Sequence, residues 1–423
     1  MSTLPLALAA AVAAQSFSSS TQPISASDRI AFRARFTPAS GDELSDIGAF
    51  SFGLFGDRAA TVKGAQVSLF FADARRLTGL QLTVGVNFAD DHWSGAQIAG
   101  LANFTTIGDG VQAAGINVAY QLAGVQAGLG NATTEGQGLQ VGALNGAAGF
   151  AGVQLGVVNC AQNMIGADVG LVNLSRSSAG LSLGLLNIAG GLPFRSCGSE
   201  DIPSEIDGIA IGGLNVTHTQ AGLLVGAVNI VGEIRGLTIG AINVTRSSSG
   251  GESLAIINLV GGGIHDLALY ATEAFWSNLA LDLGSRHLYT RWIASYQPGT
   301  ATVAPTARLS GDARRFGLGL GVGWRLSLPY NRVPAIDLES ALSTVHSSLD
   351  KDWATPIIIY SLRGLLHITL HGRFAATVGP SINVSVAPTD SDLAPTIPDP
   401  QLTSSAGAKI VGVYPGFVAG VQM

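Results

Sequence analysis

The chain has 423 residues, long enough for two or three ordinary domains or for one extended repeat array. It holds 56 glycines and only 12% charged residues, with mean hydropathy +0.38, which is unusual for a cytosolic globule and suits glycine-rich β structure or a lipid-facing sheet. A formal net charge of −6 without any basic run excludes a nucleic-acid partner, because nothing is there to neutralise phosphates.

The first residues, MSTLPLALAAAVAAQS, carry an apolar run from Leu4 to Ala14 that ends in the small-residue site Val12-Ala13-Ala14. This pattern predicts a secretory signal peptide over residues 1–14, although the usual Lys or Arg near Met1 is missing. Residues 15–77 read as an N-terminal β segment. No later stretch reads as a membrane helix; residues 138–165 are uncharged for long enough, but their Gly, Asn and Gln content would be costly in lipid.

From 78 to 264 the chain repeats every fourteen residues. Gly110, Gly124, Gly138, Gly152, Gly166 and Gly180 keep that spacing, and Gly208, Gly222 and Gly236 resume it. Asn103, Asn117, Asn131, Asn145, Asn159, Asn173 and Asn187 follow suit, then Asn215, Asn229 and Asn243. The unit reads Gly, apolar, variable, apolar, Gly, apolar, apolar, Asn, apolar, then about five polar or small residues. One unit, spanning LPFRSCGSEDIPSEID, loses its sequence pattern without losing its length. Asn87 and Asn258 lie off the fourteen-residue step, as capping units do.

Two fixed glycines, β-branched neighbours and the lack of a 3.6-residue stripe oppose helix, so the units are β. The pattern predicts a solenoid, one coil per unit, with positions 2, 4, 7 and 9 pointing inward and the Asn at position 8 stacked as a hydrogen-bonded ladder. Gly at positions 1 and 5 would permit special backbone angles or close approaches. The alternative is one large antiparallel membrane β-barrel with a strand per unit, which the apolar residue at position 7 disfavours by breaking the two-residue alternation.

Beyond residue 264 the pattern changes. In RFGLGLGVGWRLSL, Phe316, Leu318, Leu320, Val322, Trp324, Leu326 and Leu328 share one face, against glycines, Arg325 and Ser327 on the other. RFAATVGPSINVSV repeats that grammar. With candidates at 265–273, 275–284, 286–296, 335–345, 356–372 and 409–423, residues 265–423 predict an antiparallel barrel-like sheet of about eight strands. Arg291, Arg325, Asp337 and Glu339 would pair inside it. A soluble sheet packed on the array is the competing reading. The last strand carries Phe417, Ala419, Val421 and Met423 on one face, resembling an outer-membrane insertion signal that usually ends on an aromatic residue.

The units GVQLGVVN, GADVGLVN and GLSLGLLN, followed in order by GSRHLYT, RFGLGLGVGWRL, VGPSINV and YPGFVAGVQ, resemble a family of bacterial surface-repeat proteins built on a G-L-Q-L-G-L-V-N unit. The likeness covers roughly residues 78 to 423. It implies a secreted, envelope-associated protein of Gram-negative-type bacteria, and it carries location without chemistry.

No catalytic, cofactor-binding or metal-binding residue is expected. Gly180-Leu181-Ser182-Leu183-Gly184 has nucleophile-elbow spacing, but sister units place Gln154, Asp168, Ala210, Leu224 or Thr238 where Ser182 stands, so the match follows from the repeat. The alternating glycines of GLGLGVG lack a strand-loop-helix context for nucleotide binding. Sequons at Asn103, Asn131, Asn173, Asn215, Asn243 and Asn383 mostly follow from position 8, and His367 and His371 sit in a predicted strand, too far apart for an ordinary shared metal.

Cys160 and Cys197 form a candidate disulfide, weighed against two plain apolar residues. The acidic excursion with Glu200, Asp201, Glu205 and Asp207 is a candidate contact surface, weighed against a tolerated insertion. Together these point to a structural or adhesive envelope protein without an enzymatic role, meeting outer-membrane lipid and a surface protein or glycan; the alternative is an outer-membrane channel for small solutes.

Overall fold

The computed structural model describes residues 29–35, 46–190, 205–298, 314–328, 335–347, 357–371, 374–388, 402–406 and 409–423. The expected leader at 1–14 lies outside them, as do Cys197, Glu200 and Asp201. Eleven strands form one sheet in chain order. They are β1 (Arg29–Arg35), β2 (Asp46–Gly53), β3 (Gly56–Ser68), β4 (Phe71–Thr83), β5 (Val86–Ala99), β6 (Ala102–Ala113), β7 (Ile116–Ala189), β8 (Glu205–Gln220), β9 (Leu223–Ile234), β10 (Leu237–Ser248) and β11 (Glu252–Val260). Pairing is parallel, as in Gly110 opposite Gly124 and Asn243 opposite Asn258, and the coils make a β-solenoid of about 14 turns. Parallel pairing overturns the alternative of one large antiparallel barrel. The chain divides into two compact units, Met1–Ala227 and Val228–Met423.

In the first unit the array begins well before residue 78. Strands β1 to β4 pair in parallel within the same sheet, so the expected N-terminal β segment is coil rather than a separate element. Gln66 faces Gln81 at a step of fifteen, and Gly79 faces Gly95 at sixteen across a register shift. Longer coils hide the period from a fourteen-residue ruler. Ile47, Val62, Leu77, Trp93 and Leu122 fill their interior.

The inward positions differ from the expectation. Positions 3, 8, 10 and 13 point inward, whereas position 4 (Leu155) and position 6 (Val157) face out. Sorting residues by polarity alone misplaces them, because an amide can be buried at low cost when its copy in the next coil satisfies it.

Position 3 carries a Gln column: each Nε2 donates to the Oε1 of the preceding coil, from Gln81 to Gln66 (2.9 Å) through to Gln154 to Gln140 (2.6 Å). Position 8 carries the expected Asn column with opposite polarity. Asn145 Nδ2 donates to Asn159 Oδ1 at 2.9 Å and also to the Leu155 carbonyl at 2.9 Å. The pattern holds from Asn87 to Asn187.

Glycine does two jobs. Gly152, at position 1, has φ +147°, and a Cβ there would stand 2.0 Å from the Gly138 carbonyl oxygen. Gly156, at position 5, leaves room for the ladder, since a Cβ would stand 2.6 Å from Asn145 Nδ2.

The irregular unit adds no rung between its neighbours. Gly180 pairs with Gly208, and Asn187 Nδ2 donates to Asn215 Oδ1 at 2.8 Å, so residues 28 apart are neighbours in the stack. The stack therefore passes directly from the coil of Gly180 to that of Gly208.

In the second unit the last coils lead into an antiparallel sheet: β12 (Ile264–Ala271), β13 (Ser277–Gly284), β14 (Leu288–Gln297), β15 (Arg315–Ser327), β16 (Ala335–Ser347), β17 (Ile357–His371), β18 (Phe374–Pro388), a short β19 (Leu402–Ala406) and β20 (Lys409–Gln422). Consecutive strands pair up to β18, which pairs with β20. β20 also pairs with β12, Leu269 opposite Val421, so eight strands close on themselves and β19 lies on the margin of β20.

Candidate functional site

Alternation along the barrel strands sends one set of side chains inward and the other outward, and the two sets differ sharply in chemistry. Inside, Arg291 is buried and grips Asp282 with two bonds of 2.6 Å, while its other nitrogen reaches Glu339. Tyr289 donates its hydroxyl toward both Asp337 (2.8 Å) and Glu339 (2.6 Å). Arg325 bridges Asp337 (2.9 Å) and Asp266 (2.6 Å), and His367 Nε2 lies 2.9 Å from Asp337. The four lumen residues expected from the sequence therefore sit in one network. Asp266, Asp282, Tyr289 and His367 were the members that sequence reading missed; the period-two position of each was their signal.

This network ties opposite walls of the barrel together. Each acid meets a base or a hydroxyl, and the interior is occupied by side chains, as in small eight-stranded barrels generally. Outside, the rows are apolar: Leu318, Leu320, Val322 and Trp324 on β15, Leu338 and Leu342 on β16, and Ile358, Tyr360 and Leu362 on β17 are all exposed. The rings of Tyr296 and Phe316 meet at 5.4 Å, tilted by 44°, toward one end of that face. Phe417, Val421 and Met423 are exposed together on the last strand, as the alternation predicts.

The final coil is fastened to the barrel inside the same unit. Glu252 accepts from the Leu288 amide (3.0 Å) and pairs with His287 (2.7 Å), Thr290 donates to the Ala255 carbonyl (2.6 Å), and Trp292 Nε1 donates to the Ile256 carbonyl (2.8 Å).

The first unit has two chemically distinct sides. Residues 95–187 contain four charged side chains, Asp109, Glu135, Asp168 and Arg176. Asp168 points into the coil at position 3, and the other three fall outside positions 1–9. Charge collects instead in the early coils, where Arg58 Nε lies 3.4 Å from Asp73. Burial, reinforced by Asp90, raises the Asp73 carboxyl to about 6 against the pull of Arg58 and Arg75; Asp90 is raised as well, first by burial and then by Asp91.

The chemical motifs resolve into scaffolding. Ser182 is buried inside the coil, its hydroxyl 3.2 Å from that of Ser178. Asn103, Asn131, Asn173, Asn215 and Asn243 are buried with their amides in the ladder, and Asn383 is buried too, donating to Glu273. Among the described residues no group of three or more His, Cys, Asp or Glu could hold a metal ion. Cys160 does not carry a free thiol. Its expected partner Cys197 lies outside the described residues. No protein-family model, curated protein or solved structure matches the chain.

Proposed function

We propose that this chain is a structural or adhesive repeat protein of the bacterial cell envelope, held in the outer membrane by its C-terminal barrel and without catalytic activity. One observation carries the reading: eight strands close with apolar rows facing out and a paired charge network facing in. That distribution is the reverse of a water-soluble barrel and the one a lipid-facing sheet requires.

Dimensions agree with it. The apolar row from Phe316 to Leu326 spans ten residue steps, about 33 Å of strand, and a tilt of about 40° brings its height to roughly 25 Å, the usual apolar band of such barrels. The resemblance to bacterial surface-repeat proteins and the leader-like N-terminus support export. On this reading outer-membrane lipid is the first partner, and the coils present a surface to an envelope protein or glycan.

Fractionation combined with heat-modifiable gel mobility tests the assignment. The protein is expected in the outer-membrane fraction, migrating faster unheated than boiled; a soluble, heat-indifferent protein would overturn it. Planar-bilayer recording is expected to give a flat trace, because charged and aromatic side chains occupy the lumen, and discrete conductance steps would favour a solute channel instead.

A further inference from the structure

Within the first unit, the outward positions 4, 6 and 7 of successive coils line up along the stack. Val84, Leu129, Leu144, Val157, Leu171 and Leu185 are each exposed, Leu129 by 74% and Leu185 by 69%. With coils about 4.8 Å apart, the rows from Leu69 to Ile211 run roughly 43 Å, and a width of about 15 Å makes an apolar strip of about 650 Å². Typical monomers keep their largest apolar patch near 300–600 Å². Positions 1–9 offer no outward charge from Gly95 to Asn187, and the inward Gln and Asn amides are consumed by their ladders.

We infer that this strip is a lipid-contacting face of the array. Its chemistry is that of hydrocarbon: between Gly110 and Asn187 the outward residues at positions 2 to 9 are Leu, Val, Ile, Ala, Gly and Cys, and the exposed aromatic pair Phe55 and Phe70 stands at its N-terminal end. Continuity points the same way. In the second unit the equivalent residues Ile242, Ile256 and Ile257 are exposed, and the Ile256 carbonyl takes its hydrogen bond from Trp292, itself on the outer apolar face of the barrel. Strip chemistry and barrel exterior are therefore contiguous there. The inference rests on the proposed outer-membrane reading and extends it from the barrel to the array.

The test is photolabelling of the full chain in vesicles of phosphatidylethanolamine and phosphatidylglycerol carrying a phospholipid with a diazirine on its acyl chain, with labelled residues located by mass spectrometry. The expected result is label on the strip peptides around Leu129, Leu171 and Leu185 at least ten-fold above peptides of the charged side, together with label on β15 and β17. The variant L129E/L171E/L185E, which alters only outward side chains, should lose strip label and keep barrel label. Barrel label without strip label overturns the inference and leaves the membrane reading standing; no label on either overturns both. Strip residues cross-linking to a second copy in place of lipid would also overturn it, in favour of a copy-to-copy contact.

Discussion

Asp168 offers the sharpest test of the ladder. It occupies position 3 in the coil after Gln154, where the Gln column ends. All bonds in that column point toward Gln66, whose Nε2 donates to Asp57 (3.0 Å), and Asp57 is in turn paired with Arg33 (2.5 Å). The donor end of the column is thus capped by an anion. At the other end Gln154 Oε1 is buried without a partner among the described residues, and so is Asp168 Oδ1. A protonated carboxyl at position 3 of the next coil brings a donor to this end of the column, whereas an ionised one would set negative charge against a lone pair. Burial raises the Asp168 carboxyl from its ordinary 3.8 to about 7, in keeping with that role.

The sign follows from linkage. A carboxyl raised on folding leaves the unfolded chain to ionise first, so stability is full below about pH 4, falls as pH rises, and levels off above about pH 7. At about 1.4 kcal/mol per pH unit the loss has an upper bound of about 4.5 kcal/mol. Asp168→Asn supplies a permanent N–H donor of nearly the same shape. Its coils should be about as stable as the parent's at pH 4 and more stable by up to that amount at pH 8. Hydrogen exchange of peptides from 152–187, compared between parent and variant at each pH so that intrinsic rates cancel, reads the difference. Asp168→Ala, which removes the charge without providing a donor, should recover only part of the gain. Equal protection of parent and Asp168→Asn at pH 8 would refute the argument.

Gly152→Ala should cost several kcal/mol, because φ +147° disfavours any side chain and the new methyl would stand 2.0 Å from the Gly138 oxygen; exchange protection of the neighbouring coils would show it. Deleting one whole coil, residues 124–137, should leave a folded array with Gln140 taking the place of Gln126 beside Gln112, whereas deleting seven residues should break both columns; circular dichroism and limited proteolysis distinguish the two. Arg291→Ala leaves Asp282 buried without its cation and Glu339 with only the longer cationic contact to Arg363, and should cost about 3–5 kcal/mol, seen as loss of the unheated, fast-migrating gel band at lower urea concentration.

How much of this was written in the sequence depends on the residue. The Asn column was legible because its identity never wavers from Asn103 to Asn243 and its spacing is constant across the missing rung. The Gln column runs unbroken from Gln66 to Gln154 but at uneven steps of fourteen to sixteen, and Asp168, Ser182, Ala210 and Leu224 continue it, so position 3 read as variable and its inward direction was lost. In the barrel, Arg291 and Glu339 were legible because strict alternation fixes the facing of every residue once one is known. What alternation does not carry is pairing across the lumen: Arg325 meets Asp266 through strand closure, 59 residues away in sequence. The coils lack such a rule, because their chain bends between positions 4 and 8 and period two is broken there.

That bend bears on why polar side chains are inside and aliphatic ones outside. A fourteen-residue coil is narrow, and at position 8 each inward side chain meets its own copy in the next level. Two branched aliphatic columns would leave the inward carbonyls at position 4 without donors, whereas each Asn gives one N–H to the next Asn and the other to that carbonyl, as Asn173 does with Asn187 and Leu183. Uniform inner columns of amides therefore solve the backbone's hydrogen bonding and fix the stacking register together. They also leave the aliphatic residues of positions 4, 6 and 7 no place except the exterior, while positions 10 and 13 still bury apolar residues such as Ala161 and Met164. In water, each such exposed Leu forgoes about 1.5–3 kcal/mol of burial; against lipid that loss disappears, so the same repeat that is poorly suited to a free solenoid is well suited to one lying on a membrane.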